Sequence, residues 1–217
     1  MILIPVKHLA HAKQRLAAWF DQETRTLLAQ TMLLDVCETV AQMRDRMDVS
    51  LVTSDPFALE LARQFHFQVM ADHDNPGETE AIARATRVCV ARAAESTLVI
   101  PADIPLMTAP ELEQILAAAP VEGSVLVPAA DGRGTNAALR RPADLFPLSF
   151  GNDSFKPHLE AARTTGFPCV TLSLPGIALD VDNPSDLRDL AAAPGETRSQ
   201  QLIQKWSLED LPQAASE

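Results

Sequence analysis

Short apolar runs alternate with longer helical segments along the first hundred residues, and this alternation constrains the fold more than any single motif. Ile2-Leu3-Ile4-Pro5-Val6, Val49–Thr53, Phe67–Met70 and Thr97–Ile100 read as buried strands. From about Thr24 to Met43, Leu28, Met32, Val36, Val40 and Met43 recur at spacings of four, four, four and three, which is the period of an amphipathic helix. A short helix is expected over Phe57–Gln64 and a second long one over Glu78–Ala94. A strand, a helix and a second strand in succession imply parallel pairing with the helix as crossover. The second half has a different pattern. Ser124–Pro128, Thr135–Leu139 and Cys169–Leu174 are strand-like, and a convincing helix between them covers only Phe155–Thr164. The expectation is an α/β fold: a single-domain, Rossmann-like sheet of mixed direction. Residues 1–193 form the domain, and 194–217 form a polar tail, loosely ordered except for one short helix around Gln200–Trp206.

The bulk numbers narrow the function. At 217 residues and 47% hydrophobic, the chain can bury the core of one large domain. A net charge of −11 argues against general binding to nucleic acid or to an anionic membrane. Residues 1–25 run against that trend with a net of +2, which fits either a local anionic ligand or chance variation in charge. Cys37, Cys89 and Cys169 form no CxxC pair, so neither a zinc site nor a disulfide framework is expected, and free thiols suit a reducing cytoplasm. The opening MILIPVK lacks the pattern of a secretory signal and is too short to span a bilayer.

Five constellations could carry chemistry. The loop after the first strand holds Lys7, Lys13 and Arg15, three cations able to grip a triphosphate, although a solvated surface reads the same way. No GxGxxG or GxxxxGK[ST] accompanies them. Pro101-Ala102-Asp103-Ile104-Pro105 places one carboxylate just past a buried strand, where open α/β sheets bind ligands. Such an acid suits Mg²⁺ facing phosphates, and a turn-forming aspartate is the plain alternative. Asp131-Gly132-Arg133-Gly134-Thr135-Asn136 could bring backbone amides close to a ligand or simply turn a hairpin. Gly151 and Ser154 precede a helix; Ser154 is expected to cap it, either as a plain cap or leaving an anion site at its start. In Leu179-Asp180-Val181-Asp182, read as a strand, both carboxylates share one face. Asn183-Pro184-Ser185 then starts a helix with Asp186 in its first turn.

The order of these segments resembles one family: the guanylyltransferases that activate phosphoenolpyruvate, 2-phospho-L-lactate or 3-phosphoglycerate in making the deazaflavin coenzyme F-420. The residues that carry the resemblance run from Ile2 to Leu187. They are Ile4-Pro5-Val6-Lys7 with Lys13-Gln14-Arg15-Leu16, the Asp103 segment, Gly134-Thr135-Asn136-Ala137, Phe150-Gly151 with Ser154-Phe155 and His158, and Pro175-Gly176 with Leu179-Asp180-Val181-Asp182. The resemblance implies a fold of the nucleotide-diphospho-sugar transferase type, with GTP as substrate and Mg²⁺ as cofactor. It implies that Thr135, Gly151 and Ser154 bind the phosphorylated acid. Asp103 with Asp180 or Asp182 would hold the metal, Asp103, Lys7 and Arg15 would serve catalysis, and Lys13, Asn75 and Asn136 would bind the nucleotide. The loop Asn75–Glu80 departs from the alanine-rich run expected near the guanosine. The implied partners are GTP and a small phosphorylated acid, with no nucleic acid or membrane, in a monomer or homodimer. Two other readings stay open: a transferase of this fold with another acceptor, and a non-catalytic nucleotide-binding regulator.

Overall fold

β1 (Ile2–Pro5) is an interior strand of a seven-stranded sheet. It is flanked by β2 (Val49–Val52) and β4 (Thr97–Val99), both parallel to it, and β3 (Gln68–Met70) extends the parallel half beyond β2. On the other side β4 pairs antiparallel with β6 (Thr135–Arg141), β6 antiparallel with β5 (Gly123–Pro128), and β5 parallel with β7 (Cys169–Thr171). The order β3-β2-β1-β4-β6-β5-β7 is the mixed sheet expected from the change of pattern at mid-chain. This computed structural model describes residues 1–43, 47–72, 77–151 and 153–206.

Side-chain alternation along the strands sorts the core into two layers. Ile2 and Ile4 face α1 (Gln22–Ala41) and α2 (Pro56–Gln64), whereas Leu3 faces α3 (Glu78–Ala91). α4 (Ala109–Ala118) covers the first face and α5 (Phe155–Thr164) the second. The α4 helix is absent from the sequence reading. Its signal is local: Thr108 and Glu111 form a reciprocal capping box around Pro110, and Leu112 and Ile115 supply the buried face. Ala-rich stretches hide such helices because few large residues mark the period.

Two further expectations change. Asp180–Asp182 lies outside the sheet: Val181 N–H donates to the Asp103 carbonyl (3.1 Å), and the Asp180 carboxylate accepts from the Asn136 amide of β6 (3.0 Å). One backbone bond to a loop does not make a strand, but the alternation survives: Val181 is fully buried and the flanking aspartates are only partly so. After α6 (Pro175–Ala178), α7 (Pro184–Ala192) starts as expected with an Asn183–Asp186 capping box. The tail is not loose through Trp206. α8 (Arg198–Ile203) docks on α1: the Asp35 carboxylate accepts from Arg198 N–H (3.0 Å), Ser199 N–H (2.9 Å) and the Ser199 hydroxyl (2.6 Å). Ile203 enters a third apolar cluster with Leu16, Leu28 and Val181, and Trp206 packs on Phe20. Among the described residues no helix is long and apolar enough to cross a membrane.

Candidate active site

The carboxyl ends of β1 and β4 and the start of antiparallel β6 meet at one edge of the sheet, because Val99 pairs with Ala138 and the chain leaves β4 where it enters β6. A cleft of about 480 Å³ opens there. Its walls are the loop after β1, including Lys7 and Lys13, the start of α3 at Glu78, the Pro101–Asp103 turn, and Asp182.

Lys13 is the centre of this cleft. Its Nζ donates to Asp103 Oδ2 at 2.6 Å and to Asp182 Oδ1 at 2.9 Å. Burial alone would lower its pKa, but the charges and hydrogen bonds of Asp103 and Asp182 prevail and the shift is upward, so Lys13 stays cationic. Burial likewise works against the charge of Asp182, yet Lys13 and then Arg15 hold its carboxyl below the usual value. Arg15 reaches the second oxygen of Asp182 at 3.3 Å from an exposed position. Lys13 itself sits at φ +55°, a left-handed conformation costing roughly 1–2 kcal/mol for an L residue. Strain held at a functional loop is a recurrent pattern.

Glu78 is a third acid in the cleft, and the sequence reading gave it no role. Desolvation, then the charges of Asp103 and Asp182, push its carboxyl up to about 7, with Lys7 opposing. The available signal was its place at the first position of a helix that begins just after a glycine, at the ligand-binding edge of an α/β sheet.

Asp180 stands apart from the Asp103–Asp182 pair. Its Oδ1 accepts from the Asn136 amide at 3.0 Å, and desolvation raises its pKa. The same Asn136 Nδ2 donates to the Ile177 and Ala178 carbonyls at 3.0 and 2.9 Å. Asn136 thus orients Asp180 and the 177–180 segment. Among the described residues no three acidic, histidine or cysteine side chains gather closely enough to share a metal ion. Asn75 lies outside the described residues.

Beside Asn136, Thr135 opens a second cluster. Its Oγ1 accepts from the Ser154 hydroxyl at 3.3 Å and lies 2.9 Å from His158 Nδ1. Thr135, Ser154 and His158 are all buried. Ser154 does not cap α5: it already has helical backbone angles and turns its hydroxyl to Thr135 instead. Gly151 holds φ +146°, which side-chain-bearing residues rarely adopt, and Asp153 follows at φ +60°. The loop is fastened at both ends. Phe150 N–H donates to Thr79 Oγ1 (2.8 Å), and Phe155 N–H to the Arg133 carbonyl (2.7 Å). In the 131–134 turn, Arg133 N–H and Gly134 N–H both donate to Asp131 Oδ1 (2.8 and 3.2 Å), so those amides shape a hairpin.

A mixed sheet with a cationic loop after β1 and an acid after β4 places its charged groups where an α/β sheet binds phosphorylated ligands. Solved structures agree on the fold. A putative nucleotide-diphospho-sugar transferase from Desulfovibrio desulfuricans superposes with a TM-score of 0.75 over 94% of this chain and 93% of its own, at 18% identity. A CMP:2-keto-3-deoxy-manno-octonic acid synthetase complexed with CTP does so with 0.58 over 88% and 96%, at 14% identity. Residues 1–217 match the family described as guanylyl transferase CofC like, and the chain belongs to it. A phosphoenolpyruvate guanylyltransferase of Sphaerobacter thermophilus is 35% identical over 189 residues, 87% of this chain and 91% of the relative. A 2-phospho-L-lactate guanylyltransferase of Methanobrevibacter smithii is 27% identical over 207 residues, 95% and 90% of the two chains.

Proposed function

We propose that this protein transfers GMP from GTP to the phosphate of a small phosphorylated carboxylic acid, with release of pyrophosphate, as a step in making coenzyme F-420. The acceptor is phosphoenolpyruvate, 2-phospho-L-lactate or 3-phosphoglycerate. The observation that carries this reading is the juxtaposition of two unlike sites along one sheet edge. A cation held between Asp103 and Asp182 adjoins, through Asp180 and Asn136, a cluster of hydroxyls at Thr135 and Ser154.

Lys7, Lys13 and Arg15 neutralise the triphosphate. Asp103 and Asp182 fit a Mg²⁺ ion: both are oxygen donors, and both point at one position that a cation already prefers. When bound there, Mg²⁺ supplies charge neutralisation at the reacting phosphate. Asn136 keeps Asp180 beside the pair without joining it. Thr135, Ser154 and the backbone around Gly151 hold the acceptor so that its phosphate oxygen faces the α-phosphorus of GTP. That oxygen is already ionised at neutral pH, so no side chain has to remove a proton. Catalysis reduces to alignment and charge neutralisation.

The test is pyrophosphate release from GTP and Mg²⁺ with each of the three acids in turn, and with none. Release with one acid establishes the transfer and names the acceptor. Folded protein that is silent with all three overturns the proposal.

A further inference from the structure

Resting on that reading of the acceptor side, we propose that His158 is its positioning residue: the imidazole fixes which way the Thr135 hydroxyl donates and anchors the segment leading to Gly151.

The donor arithmetic starts at Ser149. Its backbone N–H donates to His158 Nε2 at 2.8 Å, so Nε2 must be the unprotonated, accepting nitrogen. A neutral ring then carries its proton on Nδ1. That N–H faces Thr135 Oγ1 at 2.9 Å and donates to it. Ser154 also donates to the same oxygen, at 3.3 Å. A threonine hydroxyl has two acceptor sites and one hydrogen. With both acceptor sites engaged, Thr135 has its own O–H to offer outward, as a donor suited to an anionic oxygen. The protein has therefore converted an ambivalent hydroxyl into a directed donor.

The placement around the ring is consistent with this. His158 lies one helical turn after Ser154, so both point to the same side of α5. It is fully buried, and Phe150 packs edge-on against the ring at 5.3 Å between centroids. Burial, then the nearby Arg140 charge, lowers its pKa to about 4, so the neutral tautomer persists across the physiological range. One side chain thus ties together β6 at Thr135, the 149–151 segment and the start of α5, the three pieces that carry the proposed acceptor contacts.

The experiment compares His158→Gln, which keeps an amide on the Nε2 side, with His158→Asn, which keeps an N–H on the Nδ1 side. His158→Gln should raise the KM for the acceptor about tenfold or more, with the KM for GTP unchanged, because it loses one hydrogen bond that orients a donor to an ion. His158→Asn should recover most of that loss. Thr135→Val/His158→Gln should be no worse for the acceptor than Thr135→Val alone. Equal rises in both KM values, or an unchanged acceptor KM with only a lowered Tm, would overturn the proposal. Two readouts do not depend on the acid being the true acceptor. ¹H–¹⁵N spectra of the free protein should show the Nδ1–H tautomer of His158, and an Nε2–H tautomer refutes the assignment. Inorganic phosphate should bind the wild type more tightly than His158→Gln, and equal affinities also refute it. If wild-type protein transfers GMP to none of the three acids, the proposed function fails while these two measurements still decide the role of His158.

Discussion

On the β1 side the site is built from charge, with Lys13 between Asp103 and Asp182 and Lys7 and Glu78 close by. On the β6 side it is built from neutral groups, with the Thr135 and Ser154 hydroxyls and an uncharged imidazole, all buried. The charged side is partly open: Asp103 is 29% exposed and Asp182 is 38%. A triphosphate brings several negative charges, and long-range charge suffices to gather it. A three-carbon acid has to be told apart from its near relatives, and only fixed short-range donors can do that. Hydroxyls in a dry setting discriminate because a wrong ligand leaves them unpaired. Each material therefore matches the ligand proposed for it.

Asp103→Asn breaks the comparison most severely. The amide keeps the shape but loses the charge that holds Lys13 and that would hold the proposed Mg²⁺. Turnover should fall on the order of 10²–10³-fold, comparable to the loss of one electrostatic group in a preorganised site. Circular dichroism should stay near wild type, since the backbone bond from Val181 to the Asp103 carbonyl does not involve the side chain, while Tm falls modestly with the loss of the charge partner of Lys13. A folded variant with near wild-type turnover would remove Asp103 from the mechanism.

The two sides should also respond to pH with opposite signs. Glu78 has a folded-state pKa of about 7, above its unfolded 4.5. The folded protein binds the extra proton in between, so this group's contribution to stability is lost as pH rises from 4.5 to 7. His158 has a folded pKa of about 4, below its unfolded 6.5. Here the unfolded chain binds the extra proton, so its contribution is lost as pH falls from 6.5 to 4. Each window is worth at most about 3 kcal/mol at 1.36 kcal/mol per unit. Urea titrations from pH 4.5 to 7.5 check this. Glu78→Gln should make stability climb more steeply with pH, and His158→Asn should flatten or invert the slope. Parallel curves for both variants would mean that neither group titrates as described.

Much of this architecture was legible in the chain because periodicity reports burial. Ile2–Ile4, Val49–Val52 and Thr97–Val99 are short, mostly apolar runs, and all are buried interior strands. α5 begins and ends where its pattern does. The acids at 103 and 182 were legible as well, since each follows an apolar segment at a turn. Side-chain partnership was not legible. No spacing rule says that Lys13 would bridge carboxylates 90 and 169 residues away, or that Asn136 would reach back to Asp180. His158 carries the resemblance motif, but its task depends on where Ser149 and Thr135 arrive in space. Asp180–Asp182 read as a strand because alternation is shared by any extended segment, whether or not a neighbour pairs with it. The tail looked loose because α8 is short and polar, and its burial depends on Asp35 and on Ile203 entering a cluster assembled from distant segments.

Lys13→Met should test whether the charged side is a cation site in its own right. Removing the ammonium takes the shared partner from Asp103 and leaves Asp182 with Arg15. The full cost for a buried pair would be about 3–5 kcal/mol, but the exposure of both acids reduces it to about 1–2. Added Mg²⁺ should then raise the Tm of the variant more than that of the wild type, because the ion no longer competes with Lys13. Equal Mg²⁺ shifts in the two proteins would show that the ion does not bind between Asp103 and Asp182.

Arg15→Ala should produce the smallest effect, and its direction sharpens the comparison. Arg15 is 60% exposed and touches Asp182 at 3.3 Å, so the ion pair contributes well under 1 kcal/mol to stability. Its value lies in the field at the mouth of the cleft. Removing it should raise the KM for GTP several-fold at low salt, and the difference from wild type should shrink as salt screens exposed charge. The KM for the acceptor should hold steady across the same series, because buried neutral hydroxyls have no counterions to lose. If the acceptor KM follows salt as closely as the GTP KM does, charge reaches across the Asn136–Asp180 link, and the two sides work as one electrostatic unit.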